Sequence, residues 1–384
     1  MTPLALLLTL ATALPAAPSF TSVSREAAAA RDAGRLEDAI RLYREALRLR
    51  PVWNEGRWYL GTILYDLDRY EEAEAAFRRL VSADRNNAAG WALKGLCEFQ
   101  LRNYERSLVD LQRARTLGLA VHPELVSVSR YHTAILFTRF EQFEIAYETL
   151  KEFAADGNDS PNVIEAIGLS LLRLPFLPAE LPPEKREMVL MAGRAGYQAA
   201  ARKPDAARQA LTELVDRFPE APNVHYAYGN FLLRENPDAA IEEFRRELVV
   251  SPGHVQALLQ IAFEYIKRGD YASARPLAEQ AATLAPAQFA ARNALGRVML
   301  ETGDTAGAIT QLEAGVKLAP DSPEMRFALA RAYSRAGRTR DADRERAAFL
   351  RLDKEYKLLK SGPQSVGGID KADQEPPPRE PPPQ

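Results

Sequence analysis

Residues 289–322 read FAARNALGRVMLETGDTAGAITQLEAGVKLAPDS, and the same layout returns on both sides of them. Gly269, Gly303 and Gly337 stand 34 residues apart, as do Pro252, Pro286 and Pro320. Ile261, Leu295 and Leu329 form a third row, Tyr265, Met299 and Tyr333 a fourth, and Ala274, Ala308 and Ala342 a fifth, all at that spacing. A fixed period of this length marks a stacked array in which each unit covers its apolar face with its neighbours. Within the quoted unit, apolar residues recur every three or four positions in two runs, Leu295 to Met299 and Ala308 to Leu312, separated by Gly303 and Asp304. That pattern predicts two antiparallel amphipathic helices. Gly303 suits a helix end that needs positive φ, while Gly296 and Ala308 are small enough to let the paired helices approach closely.

These residues resemble the tetratricopeptide repeat family. Leu60, Gly61, Ala73 and Phe77 match its pattern; so do Trp91, Gly95, Tyr104 and Ala114 in the next unit, and Gly34, Ala39, Tyr43, Ala46, Leu47 and Pro51 in the first. The resemblance covers roughly residues 20 to 356, with about nine units starting near residues 20, 54, 88, 127, 188, 221, 255, 289 and 323. It implies an all-α solenoid, a superhelix of antiparallel helical hairpins.

The register slips at about five extra residues around Gly118 to Val126, and again between Leu174 and Glu184. Pro161 to Leu174 reads as a helix, but Pro175, Pro178, Pro182 and Pro183 keep a normal hairpin partner from following it. The expected organisation is a signal peptide over 1–19, a block over 20–183 ending in an unpaired helix and proline-rich insert, a second block over 184–360, and a disordered proline-rich tail over 361–384. The alternative is one continuous superhelix with the insert as a loop. Phe176, Leu177 and Leu181 would make either a docking finger or a tucked connector.

The 384 residues carry 50 Lys and Arg against 52 Asp and Glu, a net charge of -2, so no global basic field draws the chain to nucleic acid or anionic lipid. Leu4 to Leu14 is an apolar run followed by small residues and prolines, with cleavage expected after Ala13, Ala16 or Ala17. It is too short for the ~20 residues of a spanning helix, so stable membrane insertion after its removal is not expected. The Arg- and Ala-rich composition is associated with GC-rich bacteria. Cys97 stands alone, so no internal disulfide forms, and its apolar neighbours predict inert burial.

No cofactor or metal is expected, and no catalytic residue. Gly-rich nucleotide loops, His-Glu-x-x-His, Gly-x-Ser-x-Gly and paired Cys-x-x-Cys are missing from the sequence, and His122, His132, His225 and His254 lack second ligands at helical spacing. Glu71-Glu72 and Glu242-Glu243 read as solvated outer faces, and Asn158-Asp159-Ser160 as a surface loop.

The resemblance further implies that the first helix of each unit lines a groove. Upstream, its positions are Trp58, Thr62 and Tyr65, then Ala92, Leu96 and Phe99, then Tyr131, Ile135 and Arg139, an aromatic and apolar surface. Downstream they are Tyr226, Asn230 and Arg234, then Leu259, Phe263 and Lys267, then Asn293 and Arg297, then Phe327, Arg331 and Arg335. Arg forks suit carboxylates and Asn amides suit peptide backbone, so an acidic or carboxylate-ended peptide is the expected ligand. Some family members clamp a C-terminal carboxylate with Lys and Asn, but Tyr226 and Leu259 stand where that clamp has Lys. Two other accounts remain: Arg297, Arg331 and Arg335 pair with Glu301 and Glu324, and Trp58 and Tyr65 pack between helices. The reading is a non-enzymatic adaptor of the bacterial cell envelope. Its alternatives are a self-assembling module and an accessory subunit of an envelope enzyme.

Overall fold

The computed structural model describes residues 19–119 and 122–361. Apart from Ser19 and Ser361, the expected signal peptide and tail lie outside the described residues. The described chain is built of α-helices and short 3-10 turns, and it divides into two compact units after Phe218. The first holds α1 (Phe20–Asp32), α2 (Leu36–Leu49), α3 (Asn54–Asp66), α4 (Tyr70–Ala83), α5 (Ala88–Gln100), α6 (Tyr104–Leu117), α7 (Pro123–Arg139), α8 (Phe143–Ala155), α9 (Pro161–Leu171), α10 (Arg186–Ala200) and α11 (Pro204–Arg217). The second holds α12 (Val224–Leu232), α13 (Pro237–Val250), α14 (Val255–Arg268), α15 (Tyr271–Leu284), α16 (Phe289–Glu301), α17 (Thr305–Leu318), α18 (Pro323–Arg335) and α19 (Thr339–Ser361).

One packing device recurs in both units. A glycine on the first helix of a hairpin faces a large side chain on the second: Gly61 on Phe77, Gly95 on Leu111, Gly229 on Phe244 and Gly296 on Leu312. All four large side chains are fully buried, and a β-carbon at the glycine would displace them. The downstream hairpin turns place Gly269, Gly303 and Gly337 at positive φ. Upstream, the first hairpin turn likewise has Gly34 at positive φ, but the later helix ends carry Asp68, Arg102, Glu141, Arg173 and Arg202, with φ of 56°, 61°, 59°, 52° and 59°. Two of the downstream turns also cap the next helix with a side chain, Asp270 accepting from Ser273 N–H and Asp304 from Gly307 N–H.

The expectation of an unpaired helix before the proline-rich insert does not hold. The chain from Leu172 to Lys185 loops out and returns, and α10 then packs along α9. Gly168 lies against the Val189 carbonyl, and Gly193 against that of Ile164. The prolines forbid an immediate second helix, yet nothing forbids a later one. The insert therefore lies within the first compact unit. It is tucked down: Leu177 and Leu181 are each 5% exposed, Arg139 donates to the Pro175 carbonyl at 3.0 Å, and Glu180 accepts from Leu177 N–H at 3.1 Å.

Two buried charged centres were not expected. Lys94 on α5 is surrounded by Asp110 of α6, Glu98 at 3.6 Å and Glu74 of α4 at 3.8 Å. Glu243, expected on a solvated face, is 6% exposed. It accepts from His225 at 2.7 Å, while Glu247 accepts from the backbone N–H groups of Asn223 and Tyr226. Both carboxylates thus serve the start of α12. Glu71, Glu72 and Glu242 are exposed, as read. Cys97 is fully buried, and burial pushes its thiol up to about 12.

Candidate functional site

In the second unit a cavity of about 550 Å³ opens between α14, α16, α18 and α19. Five of the residues expected in the downstream groove line it: Phe263, Asn293, Arg297, Phe327 and Arg331. They converge because Asn293 and Arg297 lie one turn apart on α16, and Phe327 and Arg331 repeat that step 34 residues later on α18.

The chemistry of the cavity is cationic and incompletely satisfied. Arg297 is half-buried and makes no hydrogen bond or ion pair with any described residue. Burial, and then the nearby Arg331 guanidinium, hold it below its ordinary value. Asn293 is 7% exposed, and its Oδ1 has no hydrogen-bond partner among the described residues. A buried orphan acceptor of this kind costs about 1–3 kcal/mol. Arg331 and Arg335 instead share the Glu301 carboxylate at 2.5 and 3.2 Å, so ion pairing accounts for those two arginines and not for Arg297. Glu324 accepts from the Ser322 hydroxyl at 2.9 Å.

The aromatic wall is larger than the sequence reading had it. Phe327 is 49% exposed, and its ring centroid lies 5.3 Å from that of Phe349 on α19. Phe349 and Asp353 both line the cavity, and neither was expected, because only first helices were searched. The signal was present in the register: the positions 34 and 68 residues before Phe349 are Gly315 and Ala281. Of the three units starting near residues 255, 289 and 323, only the third carries a large side chain there.

The other downstream residues lie outside this cavity. Tyr226 is buried, with its ring against Phe244 and His254 at 5.7 and 4.6 Å. Asn230 accepts from Gln260 at 3.3 Å, Lys267 pairs with Glu264 on its own helix at 3.5 Å, and Arg234 is exposed beyond the end of α12. Upstream, the aromatic residues pack on neighbours. Trp58 contacts the rings of Phe77 and His122, Tyr65 that of Tyr70, and Phe99 those of Tyr104 and His132. Tyr131 lies edge-on to His132, and burial pushes its hydroxyl up to about 12. All four are half-buried, so this surface offers edges of packed rings rather than open aromatic faces. Arg139 holds the proline-rich insert. Among the described residues no group of three or more His, Cys, Asp or Glu is placed to hold a metal ion, and no helix is long and apolar enough to cross a membrane.

Similarity to known proteins follows the repeats. Among curated proteins, the human protein O-mannosyl-transferase TMTC3 is 22% identical over 268 residues, covering 66% of this chain; the match spans only 28% of that protein's length. Among solved structures, a MamA RS-1 ArsTM double mutant is 20% identical with a TM-score of 0.40, covering 45% of this chain and 97% of its own. MamA 41-end from Desulfovibrio magneticus RS-1 is likewise 20% identical with a TM-score of 0.40, covering 44% and 96%. Tetratricopeptide repeat models match residues 25–88, 60–117, 190–255 and 300–357, and a further one matches 265–326. With more than half of its residues matched in this way, the chain belongs to the tetratricopeptide repeat family.

Proposed function

We propose that this protein-interaction scaffold works as an adaptor of the bacterial cell envelope that holds an acidic or carboxylate-ended peptide segment in the cavity between α16 and α18. The observation that carries the reading is the pair formed by Arg297, which has no counter-ion among the described residues, and Asn293 Oδ1, which has no hydrogen-bond partner among them, both lining a cavity walled by Phe263, Phe327 and Phe349. A carboxylate would give Arg297 its fork partner, and a peptide N–H would satisfy Asn293. The phenylalanines would take the apolar side chains of the same segment. Because the groups are already held by packed helices, little ordering cost falls on the receptor.

The envelope location rests on the apolar run Leu4 to Leu14 and the small residues after it, which read as an export signal. A purely interacting role is supported by the absence from the sequence of the nucleotide, zinc and nucleophile motifs. The transferase named above shares little more than a quarter of its own length with this chain, so its activity gives no reason to expect transfer here.

The test is affinity copurification from the native envelope fraction, comparing the mature chain with an Arg297→Glu, Arg331→Glu variant of matched helicity. A specific partner recovered only by the parent supports the reading. Equal recovery removes this cavity as the binding site, and absence of the chain from the envelope fraction removes the location.

A further inference from the structure

The first unit carries a second cleft, on the side of the second helices. It runs between α2 and α4 with a volume of about 580 Å³, and it continues into a recess of about 280 Å³ toward Pro51. Its floor is apolar and recessed: Ile40, Leu60 and Leu64 are each at most 7% exposed, and Leu47 is half-buried. Its walls are cationic. Arg41, Arg44 and Arg48 follow one another along a single edge of α2, while Arg79 and Arg57 face them. Glu37 and Glu72 are the carboxylates that line it.

The charges are unevenly used. At one end Glu72 is engaged by Arg44 and by Arg69, which also reaches Glu37. At the other end Arg48 and Arg79 are exposed, and neither makes a hydrogen bond or ion pair with any described residue. Arg57 donates to Asn54 and to the Pro51 carbonyl, so it is not met by a carboxylate either. Its charged form is disfavoured by burial and then by the repulsion of Arg79. In a chain of net charge -2, this is a local cationic excess over an apolar floor.

We propose that this cleft docks the acidic, amphipathic helix of a partner protein, with its carboxylates on Arg48 and Arg79 and its apolar side chains on Ile40, Leu47, Leu60 and Leu64. Arginines at three- and four-residue steps along α2 match carboxylates spaced likewise on a helix laid beside it. The recessed floor selects against a bilayer, whose flat surface does not reach between two helices, whereas side-chain knobs do. Docking here leaves the Asn293 and Arg297 cavity free, so the scaffold would bring two partners together through different surfaces.

The test uses the full mature chain and a defined probe: a fluorescent synthetic helix with leucines on one face and glutamates on the other, plus its glutamine counterpart. Fluorescence anisotropy should show salt-sensitive binding of the glutamate peptide, with about tenfold or greater weakening in an Arg48→Glu, Arg79→Glu variant. Because the downstream cavity would also take an acidic peptide, these comparisons are made in an Arg297→Glu, Arg331→Glu background; there the glutamate peptide should still bind through Arg48 and Arg79, and the glutamine peptide should bind as weakly as the Arg48, Arg79 variant. Both replaced arginines are exposed, and circular dichroism with thermal unfolding verifies that the variant folds. Undiminished binding by the Arg48, Arg79 variant overturns the proposal. So does the absence of glutamate-peptide binding once Arg297 and Arg331 are replaced. Cosedimentation with phosphatidylglycerol vesicles that depends on Arg48 and Arg79, without peptide binding, replaces the protein partner with a membrane and overturns it too.

Discussion

Gly168 on α9 and Gly193 on α10 meet across one helix interface, each turning its bare α-carbon toward the backbone carbonyl of the other helix. A methyl group at either site would fall within the van der Waals radius of Val189 O or Ile164 O. Backbone oxygens of packed helices cannot yield as a flexible side chain does. Gly168→Ala or Gly193→Ala should therefore cost about 3 kcal/mol, at the upper end of overpacking penalties. Urea unfolding followed by circular dichroism checks this. A loss no greater than that of an exposed alanine substitution would mean the helices separate without cost.

The Lys94 centre sets a second expectation. Burial holds the Asp110 carboxyl above its ordinary value, offset in part by Lys94 and reinforced by Glu98 and Glu74. The folded state thus binds this proton more tightly than the unfolded chain, so the group favours folding most at acid pH and loses that contribution as pH rises through its folded value. Asp110→Asn should flatten this part of the stability profile and cost little at pH 8. Lys94→Met, which strands Asp110 and leaves Glu98 with the Asn103 amide and Glu74 with Arg78, should cost about 3–5 kcal/mol. Denaturant midpoints for both variants across the pH range decide it.

Cys97 should be chemically silent in the native state. With the thiol pushed up to about 12, almost no thiolate exists at pH 8, and the side chain is fully covered. Alkylation read by mass spectrometry should proceed only in denaturant. Rapid native labelling would show that α5 opens locally.

In the downstream cavity, Glu301 competes with any carboxylate ligand for Arg331 and Arg335. Glu301→Gln should tighten binding of an acidic peptide by about twofold to fivefold, within the range of weak surface pairs. Calorimetric titration with a peptide acid and its amide measures it, and unchanged affinity would remove Arg331 from the contact.

The repeat was legible in the sequence because its rows sit where physics leaves little choice: glycine opposite Phe77 or Leu312, and glycine at the turns after α14, α16 and α18. The cavity was half legible. Phe263, Asn293, Arg297, Phe327 and Arg331 follow from one helix face, but Phe349 and Asp353 come from α19, a second helix, whereas lining positions were read from first helices. The partner of α9 was hidden because pairing across a proline-rich loop depends on tertiary packing that no local pattern records. Tyr226 and Glu243 were misplaced for a similar reason. Their exposure is decided by His225, His254 and the short α12, not by helix periodicity.

The upstream helix ends offer a route to a sturdier protein. Asp68, Arg102, Glu141, Arg173 and Arg202 hold a left-handed backbone that costs a side-chain-bearing residue about 1–2 kcal/mol each, against about 0.5–1 kcal/mol of chain entropy that glycine forfeits. Glycine at Arg102 and Arg202, whose side chains contact no ligand surface described above, should raise the melting temperature while leaving both clefts as they are. Rewriting the early turns in the vocabulary of the later ones is thus an engineering handle: a more durable receptor for capturing short-lived partners, with its recognition chemistry untouched.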